Sequence, residues 1–317
     1  MIERIARILN MNLPKETRSK IWEWCFSHVS AVPFTEENLD NMSNTELVWG
    51  IYGGYPGNES NETLNKKAIE NLAKAVGVRG VQNPEGGFNA CPVINSKELT
   101  DSELLQRIER VIGFKINLPK FTGNSHALET DYGIVSDRHC HYLWLMKRII
   151  ELLPPRSNKR YSIIEIGAGI GFLGYYLYKA GYFDYTIIDL AYTNAIQAYF
   201  LQRNLPKADL ILSGEVKNPF SSKYKTYLKI LHTSDFVNVP KRRFDLMINI
   251  DGLTEMTIAD AHRYVNNDYA RLFLSINHEM NDFRAIDICK ATKNLKYRYP
   301  FWLREGYVEE LYQSIFI

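Results

Sequence analysis

The stretch IIEIGAGIGFLG, Ile163 to Gly174, reads as a β-branched strand that runs into a bend crowded with glycine. Glycines at 167, 169, 171 and 174 leave the backbone bare where the chain turns back toward a helix. A turn of that composition lets the main chain adopt left-handed angles and lets another group lie directly against it. An acid, Glu165, stands two residues before the first glycine.

Working outward, the second half of the chain alternates strand and helix. YSIIEIG and YTIIDL read as the first two strands, with helices in FLGYYLYKAGY and AYTNAIQAYFLQRNLP. YLKILHTSDF holds a third strand, FDLMINIDG a fourth and ARLFLSINHE a fifth; LKYRYPFWL and LYQSIFI close the sheet. The alternation predicts an α/β fold, a Rossmann-like, doubly wound and mostly parallel seven-stranded sheet. DLILSGE, in the long connection after Pro206, is a candidate for one more short strand. The first part reads as mainly helical, in IARILNMNL, TRSKIWEWCFSHVS, NETLNKKAIENLAKAV and DSELLQRIERVIGF, the last with Asp101 or Ser102 as N-cap. A further helix over 137–152 is stopped by Pro154 and Pro155. GIYGGYPG and NPEGGFNACP are turn-rich. The expected division is 1–125, a helical cap, dimerisation or substrate region, and 126–317, the ligand-binding domain.

Composition narrows the partners. A net charge of +2 carries none of the basic excess of a nucleic-acid binder. The four cysteines, at 25, 91, 140 and 289, form no C-x-x-C pair or zinc spacing, and reduced thiols suit a cytoplasmic protein. The N-terminal residues lack the apolar run of a signal peptide, and no stretch approaches the about 20 apolar residues of a membrane span.

Ligands of doubly wound sheets sit beyond the carboxyl ends of the strands, where the winding reverses. Two cofactor classes use such a bend. GIGFLG, from Gly169, satisfies the G-x-G-x-x-G of a nicotinamide-dependent oxidoreductase. The acid at Glu165 favours the other class: a carboxylate repels a pyrophosphate but suits the ammonium and sulfonium of S-adenosylmethionine. Asp189, ending the second strand, would accept from ribose hydroxyls in either class.

IIEIGAGIGFLG, TIIDLAYTNAIQAYFL, MINIDGLTEM and LFLSIN together resemble the bacterial sugar O-methyltransferases, class I S-adenosylmethionine-dependent enzymes. The resemblance spans roughly residues 125 to 280; Ala191 and Gly252 stand where that family often has proline and serine. It implies a class I methyltransferase fold. Glu165, Gly167, Ala168, Gly169 and Gly171 would line the methionine part of the cofactor, Asp189 would hold the ribose and Leu190 would lie against the adenine. Asp235 would accept from the adenine amino group and Phe236 would pack on its ring. Asn249 and Asp251 would face the methyl group and the acceptor.

A sugar hydroxyl is a weak nucleophile, so a general base should contribute ~10²–10⁴-fold. His278, at the end of the fifth strand, is the first candidate, followed by Asp251 and Glu255. The acids are too sparse for a metal site. His139 and His141, two apart on a helix, point to different sides; Tyr132 and Arg138 are weighed as contacts to ligand or as interdomain residues, and Trp144 and Trp302 as rings that stack on a sugar or, the favoured reading, as core residues. The expected activity is methyl transfer to a hydroxyl of a sugar or glycan-like acceptor. The alternatives are an amine or other small acceptor, an NAD(P)-dependent oxidoreductase, and a non-catalytic adapter.

Overall fold

The computed structural model describes residues 61–79, 99–119, 128–155 and 159–315. The helices expected before residue 60, the two turn-rich stretches, Cys25, Cys91 and His126 lie outside them. The described residues divide into two compact units, with the boundary in the chain between Pro154 and Pro155.

In the first unit, α1 (Asn61–Ala75) and α2 (Asp101–Ile112) have the apolar spacing that the sequence shows. The N-cap of α2 is Thr100, not Asp101 or Ser102. Its hydroxyl accepts from the Glu103 amide at 3.2 Å, while the Glu103 carboxylate accepts from the Thr100 amide at 2.8 Å. That reciprocal pair satisfies two of the orphan donors of the first turn. A two-stranded antiparallel ribbon follows, β1 (Leu128–Thr130) and β2 (Gly133–Val135), where the sequence reads as loop. Helix α3 (Asp137–Leu152) ends before the two prolines, as expected. At its start the buried ring of His139 accepts from the Ser136 amide at 2.9 Å, and burial lowers the imidazole to about 4. Asn65 of α1 accepts from the Asp137 amide at 2.8 Å, so the ribbon and α3 belong with this unit rather than with the sheet.

The second unit is a sheet of eight strands: β3 (Ser162–Ile166), β4 (Asp184–Asp189), β5 (Leu210–Leu212), β6 (Leu228–His232), β7 (Phe244–Ile250), β8 (Ala270–His278), β9 (Lys293–Pro300) and β10 (Tyr307–Ser314). Their spatial order is β5-β6-β4-β3-β7-β8-β10-β9. All pairs are parallel except those of β10, which runs antiparallel to both β8 and β9. This is the doubly wound, Rossmann-like architecture read from the sequence, with β5 as the strand beyond the expected seven. Strands β3 and β4 are buried along their whole length, which requires apolar cover on both faces. Helices α4 (Phe172–Lys179), α5 (Ala191–Asn204), α6 (Ile258–Val265) and the short α7 (Ala285–Cys289) connect the strands. On one face, Ile164, Ile166, Ile188, Leu231, Met247 and Phe273 pack with Ala261 and Tyr264 of α6 and Ile288 of α7.

At the amino ends of β4 and β6 a buried ion triad closes the sheet. Lys229 Nζ lies 2.8 Å from Asp184 Oδ1, and Arg243 takes Asp184 Oδ2 at 2.6 Å. Burial lowers the lysine, and the Asp184 charge opposes that shift. Removing one member would leave an uncompensated buried charge.

Chain order reverses between β3 and β7, so the carboxyl ends of these two strands form the crevice of the fold. The bend after β3 opens onto it. Helix α4 leaves the bend closely packed: a Cβ on Gly174 would sit 3.2 Å from Cε1 of Tyr185, a fully buried ring on β4. That ring cannot move aside in a packed interior. Gly174→Ala is therefore expected to destabilise the protein by about 1–3 kcal/mol, read as a lower urea midpoint at unchanged slope. A neutral or stabilising change would show that helix and ring can separate freely.

Candidate active site

Gly167, Gly169 and Gly171 adopt φ of 72°, 56° and 94°. Side chains at three left-handed positions would be strained, which is why the sequence leaves them bare. The bend is held by its neighbours. The Gly167 amide donates to Ile188 O at 2.9 Å, and the Ala168 amide donates to Asp189 Oδ2 at 2.9 Å. From α5, Gln197 Nε2 reaches Gly169 O at 2.8 Å and Asp189 Oδ2 at 2.7 Å. Across the crevice, Asn249 Nδ2 donates to Ile166 O at 2.9 Å. Among the described residues no hydrogen bond engages the amides of Gly169 and Ile170, so two donors at the entry to α4 are free for an anionic group.

Two carboxyl groups flank the bend. Glu165 is 1% exposed, and its partner is the hydroxyl of Tyr185, a residue the sequence does not single out. Burial raises it to about 8; the Tyr185 hydrogen bond opposes the shift and the nearby Asp189 adds to it. Asp189, also buried, accepts from Leu190 N at 2.8 Å besides Ala168 and Gln197. Burial raises it to about 6, against those three donors. Among the described residues no lysine, arginine or histidine pairs with either acid. Leu190, beside Asp189, exposes 44% of its surface, unusual for leucine.

Other expected cofactor residues have different neighbours. Phe236, placed on the adenine by the resemblance, is 1% exposed, with the rings of Tyr264 and Tyr269 each 4.7 Å away and edge-on. Its role in the structure is core packing. Asp235 accepts from the His232 amide at 3.2 Å and from the Ser213 hydroxyl, which caps the turn after β6 and ties it to the end of β5. Asn249 is a latch rather than an open group. Besides Ile166 it accepts from Leu253 N at 2.8 Å and from Asn277 Nδ2 at 3.0 Å; Asn277 in turn donates to Ser275 at 2.8 Å.

The three candidate bases gather at the carboxyl ends of β7 and β8, with two residues that sequence reasoning misses, Arg304 from the β9–β10 turn and Tyr307, the first residue of β10. Asp251 has a left-handed φ of 60° and is held by an ion pair with Arg304 and a hydrogen bond from the Tyr307 hydroxyl. The Arg304 guanidinium lies 3.9 Å above the Tyr307 ring. His278 Nδ1 accepts from the Met280 amide at 3.1 Å, so the neutral ring carries its proton on Nε2. The sequence favours His278 as base; in this arrangement its Nδ1 lone pair is engaged by the Met280 amide. Glu255, exposed in the turn after β7, is engaged by no hydrogen bond or ion pair among the described residues. Partial desolvation, then the Asp251 charge, raises its carboxyl, and Arg304 opposes the shift. Trp302, read from sequence as core, is 60% exposed on the same turn; Trp144 is buried as expected.

No protein-family model matches the chain, and no curated protein matches it by sequence. Solved structures match parts of the chain at low identity. A ribosomal protein L11 methylase from Lactobacillus delbrueckii subsp. bulgaricus is 12% identical, over 63% of this chain and 90% of that one, with a TM-score of 0.39. Magnesium protoporphyrin IX methyltransferase from Synechocystis PCC 6803, with bound SAM, is 14% identical over 55% and 78%, TM-score 0.37. A glycopeptide N-methyltransferase complexed with sinefungin is 12% identical over 54% and 92%, TM-score 0.37.

The Glu165 shift makes a signed prediction. Its folded value, about 8, lies above the ordinary 4.5, so its stabilising contribution is fully present below about pH 4.5 and is lost as pH rises through about 8. Glu165→Gln keeps an acceptor for Tyr185 without that loss. The variant is expected to gain stability over wild type from about pH 5 to about pH 8, measured by urea unfolding across pH. A pH-independent difference would mean that Glu165 is ionised throughout.

Proposed function

We propose that this chain is an S-adenosylmethionine-dependent methyltransferase that acts on a hydroxyl of a sugar or glycan-like acceptor. The observation that carries the cofactor is electrostatic. Two buried carboxyls flank a glycine-rich bend at the topological switch point, and neither has a cationic partner among the described residues. Buried acids without counter-charge are costly, and a cationic ligand relieves that cost. The free amides of Gly169 and Ile170 fit the carboxylate of the same ligand, Asp189 fits ribose hydroxyls and Leu190 offers apolar surface to a base. Bound there, S-adenosylmethionine supplies a methyl group on a sulfonium, already activated for in-line displacement.

The rest falls to the chain. The acceptor oxygen must be aligned and its proton removed. We assign the proton to Glu255, because Asp251 is held by Arg304 and Tyr307 and His278 by Met280. Its raised carboxyl binds a proton more readily than an ordinary glutamate. Trp302 gives the same edge an exposed ring of the kind that stacks on the C–H face of a sugar. The sugar rests on sequence resemblance together with this ring.

Calorimetry with S-adenosylhomocysteine tests the cofactor: wild type is expected to bind, and Asp189→Ala to bind ~10–100-fold more weakly. Thermal protection by NAD(P) with none from the sulfur nucleoside would overturn the reading in favour of an oxidoreductase. Tritium transfer to monosaccharides and nucleotide sugars, with amines in parallel, tests the acceptor. Glu255→Gln is expected to lower turnover by ~10²–10⁴-fold and remove the alkaline rise in rate, while His278→Asn stays near wild type. Full turnover in the glutamine variant would remove Glu255 from the mechanism.

A further inference from the structure

Helix α5 carries a residue to which neither the motif reading nor the assigned cofactor contacts give a role. Gln197 is fully buried in the middle of the helix. A buried amide is costly unless bonded. The Gln197 nitrogen makes two bonds, to the Gly169 carbonyl at 2.8 Å and to Asp189 Oδ2 at 2.7 Å. Both partners are acceptors, which fixes which end of the amide is nitrogen. The Ala168 amide donates to that same Oδ2. One carboxylate oxygen thus joins the bend, the second strand and α5. The approach is close, since a Cβ on Gly171 would lie 3.7 Å from Gln197 Cγ and 3.3 Å from Leu201 Cδ1.

We propose that Gln197 is a positioning residue of the cofactor site: it orients the Asp189 carboxylate for the ribose and pins the Gly169 carbonyl, so that the amides of Gly169 and Ile170 stay available. The proposal rests on the methyltransferase reading. Glutamine suits the place because its two N–H groups serve a carbonyl and a carboxylate at once without adding charge. A glutamate there would set a second carboxyl against Asp189, and a methionine would fill the space with no donor. The amide also stabilises the ionised form of Asp189, which burial opposes. The titratable groups that feel Asp189 are Glu165 on β3 and Tyr264 on α6.

The test is calorimetry of the full-length protein with S-adenosylhomocysteine across about pH 5 to 8, on wild type, Gln197→Met and Gln197→Glu. Wild-type binding is expected to weaken as pH falls through about 6, where Asp189 takes up a proton. Gln197→Met is expected to bind ~10–100-fold more weakly near neutral pH and to lose binding at a higher pH than wild type. Gln197→Glu, nearly isosteric, keeps the proposal testable if the methionine variant does not fold. Its affinity should fall as pH rises and the new carboxyl ionises, opposite to wild type. A merely structural glutamine would lower the melting temperature without moving either pH profile. Wild-type affinity and pH dependence in both variants would overturn the proposal. Failure of the wild type itself to bind would remove the methyltransferase reading and this role with it.

Discussion

The structure depends on how a strand can end in backbone that has no polar side chain of its own to hold it. The bend from Gly167 to Gly171 has three left-handed glycines and one internal bond, from the Gly171 amide to Ala168 O at 3.0 Å; the side chains that fix it come from other strands and a helix. Asn249 of β7 takes the last carbonyl of β3, Asp189 of β4 takes the Ala168 amide, and Gln197 of α5 takes the Gly169 carbonyl. These elements are neighbours only because the sheet order places β3 between β4 and β7. Flexible backbone becomes a shaped surface through long-range hydrogen bonds, and the ordering entropy is offset by the sheet rather than by the bend.

Charge is distributed unevenly between the two ends of that sheet. At the amino ends Asp184 is matched by Lys229 and Arg243, all buried or nearly so. At the carboxyl ends of β3 and β4, Glu165 and Asp189 meet only neutral donors: a tyrosine hydroxyl, two amides and a glutamine. Neutral donors recover part of a carboxylate's lost hydration, and burial still raises both groups. The amino end is electrostatically complete without a ligand. The carboxyl end is not, and a positive group entering the bend would lower the energy of both acids.

How much of this the sequence discloses depends on the range of the interaction. Period and punctuation are local, so α3 stopping before Pro154 and the Gly167 bend with its flanking acids were all legible. A cap shift to Thr100 hangs on one reciprocal pair with Glu103 and was read one or two residues late. The β1–β2 ribbon is three residues a side, too short for alternation to stand out from loop. Phe236 looks like a ligand-facing aromatic in HTSDF; only the packed fold places Tyr264 and Tyr269 against it. Arg304 and Tyr307 lie more than fifty residues beyond Asp251, and no local signal ties them to it. Gln197 sat inside the quoted helix, but a glutamine among apolar residues declares a purpose only once its two acceptors are known.

Methyl transfer, the reaction proposed for this chain, would ask little of the protein beyond alignment, because the leaving group is activated before it arrives. On that reading, rigidity at the carboxyl ends of β7 and β8 would matter more than acid strength, and the β9–β10 turn supplies it. Asp251 tolerates its left-handed conformation because an ion pair and a tyrosine hydroxyl hold the carboxylate. The Gly306 carbonyl accepts from the Glu279 amide at 3.0 Å. A Cβ on Gly306 would come within 2.8 Å of His278 Nε2, so the turn lies hard against the histidine. Asp251, His278 and the turn are thereby fixed to one another, whereas Glu255 retains a carboxyl with no fixed partner. A site that must hold its walls still and move one proton needs that division between groups that are tied and one that is not.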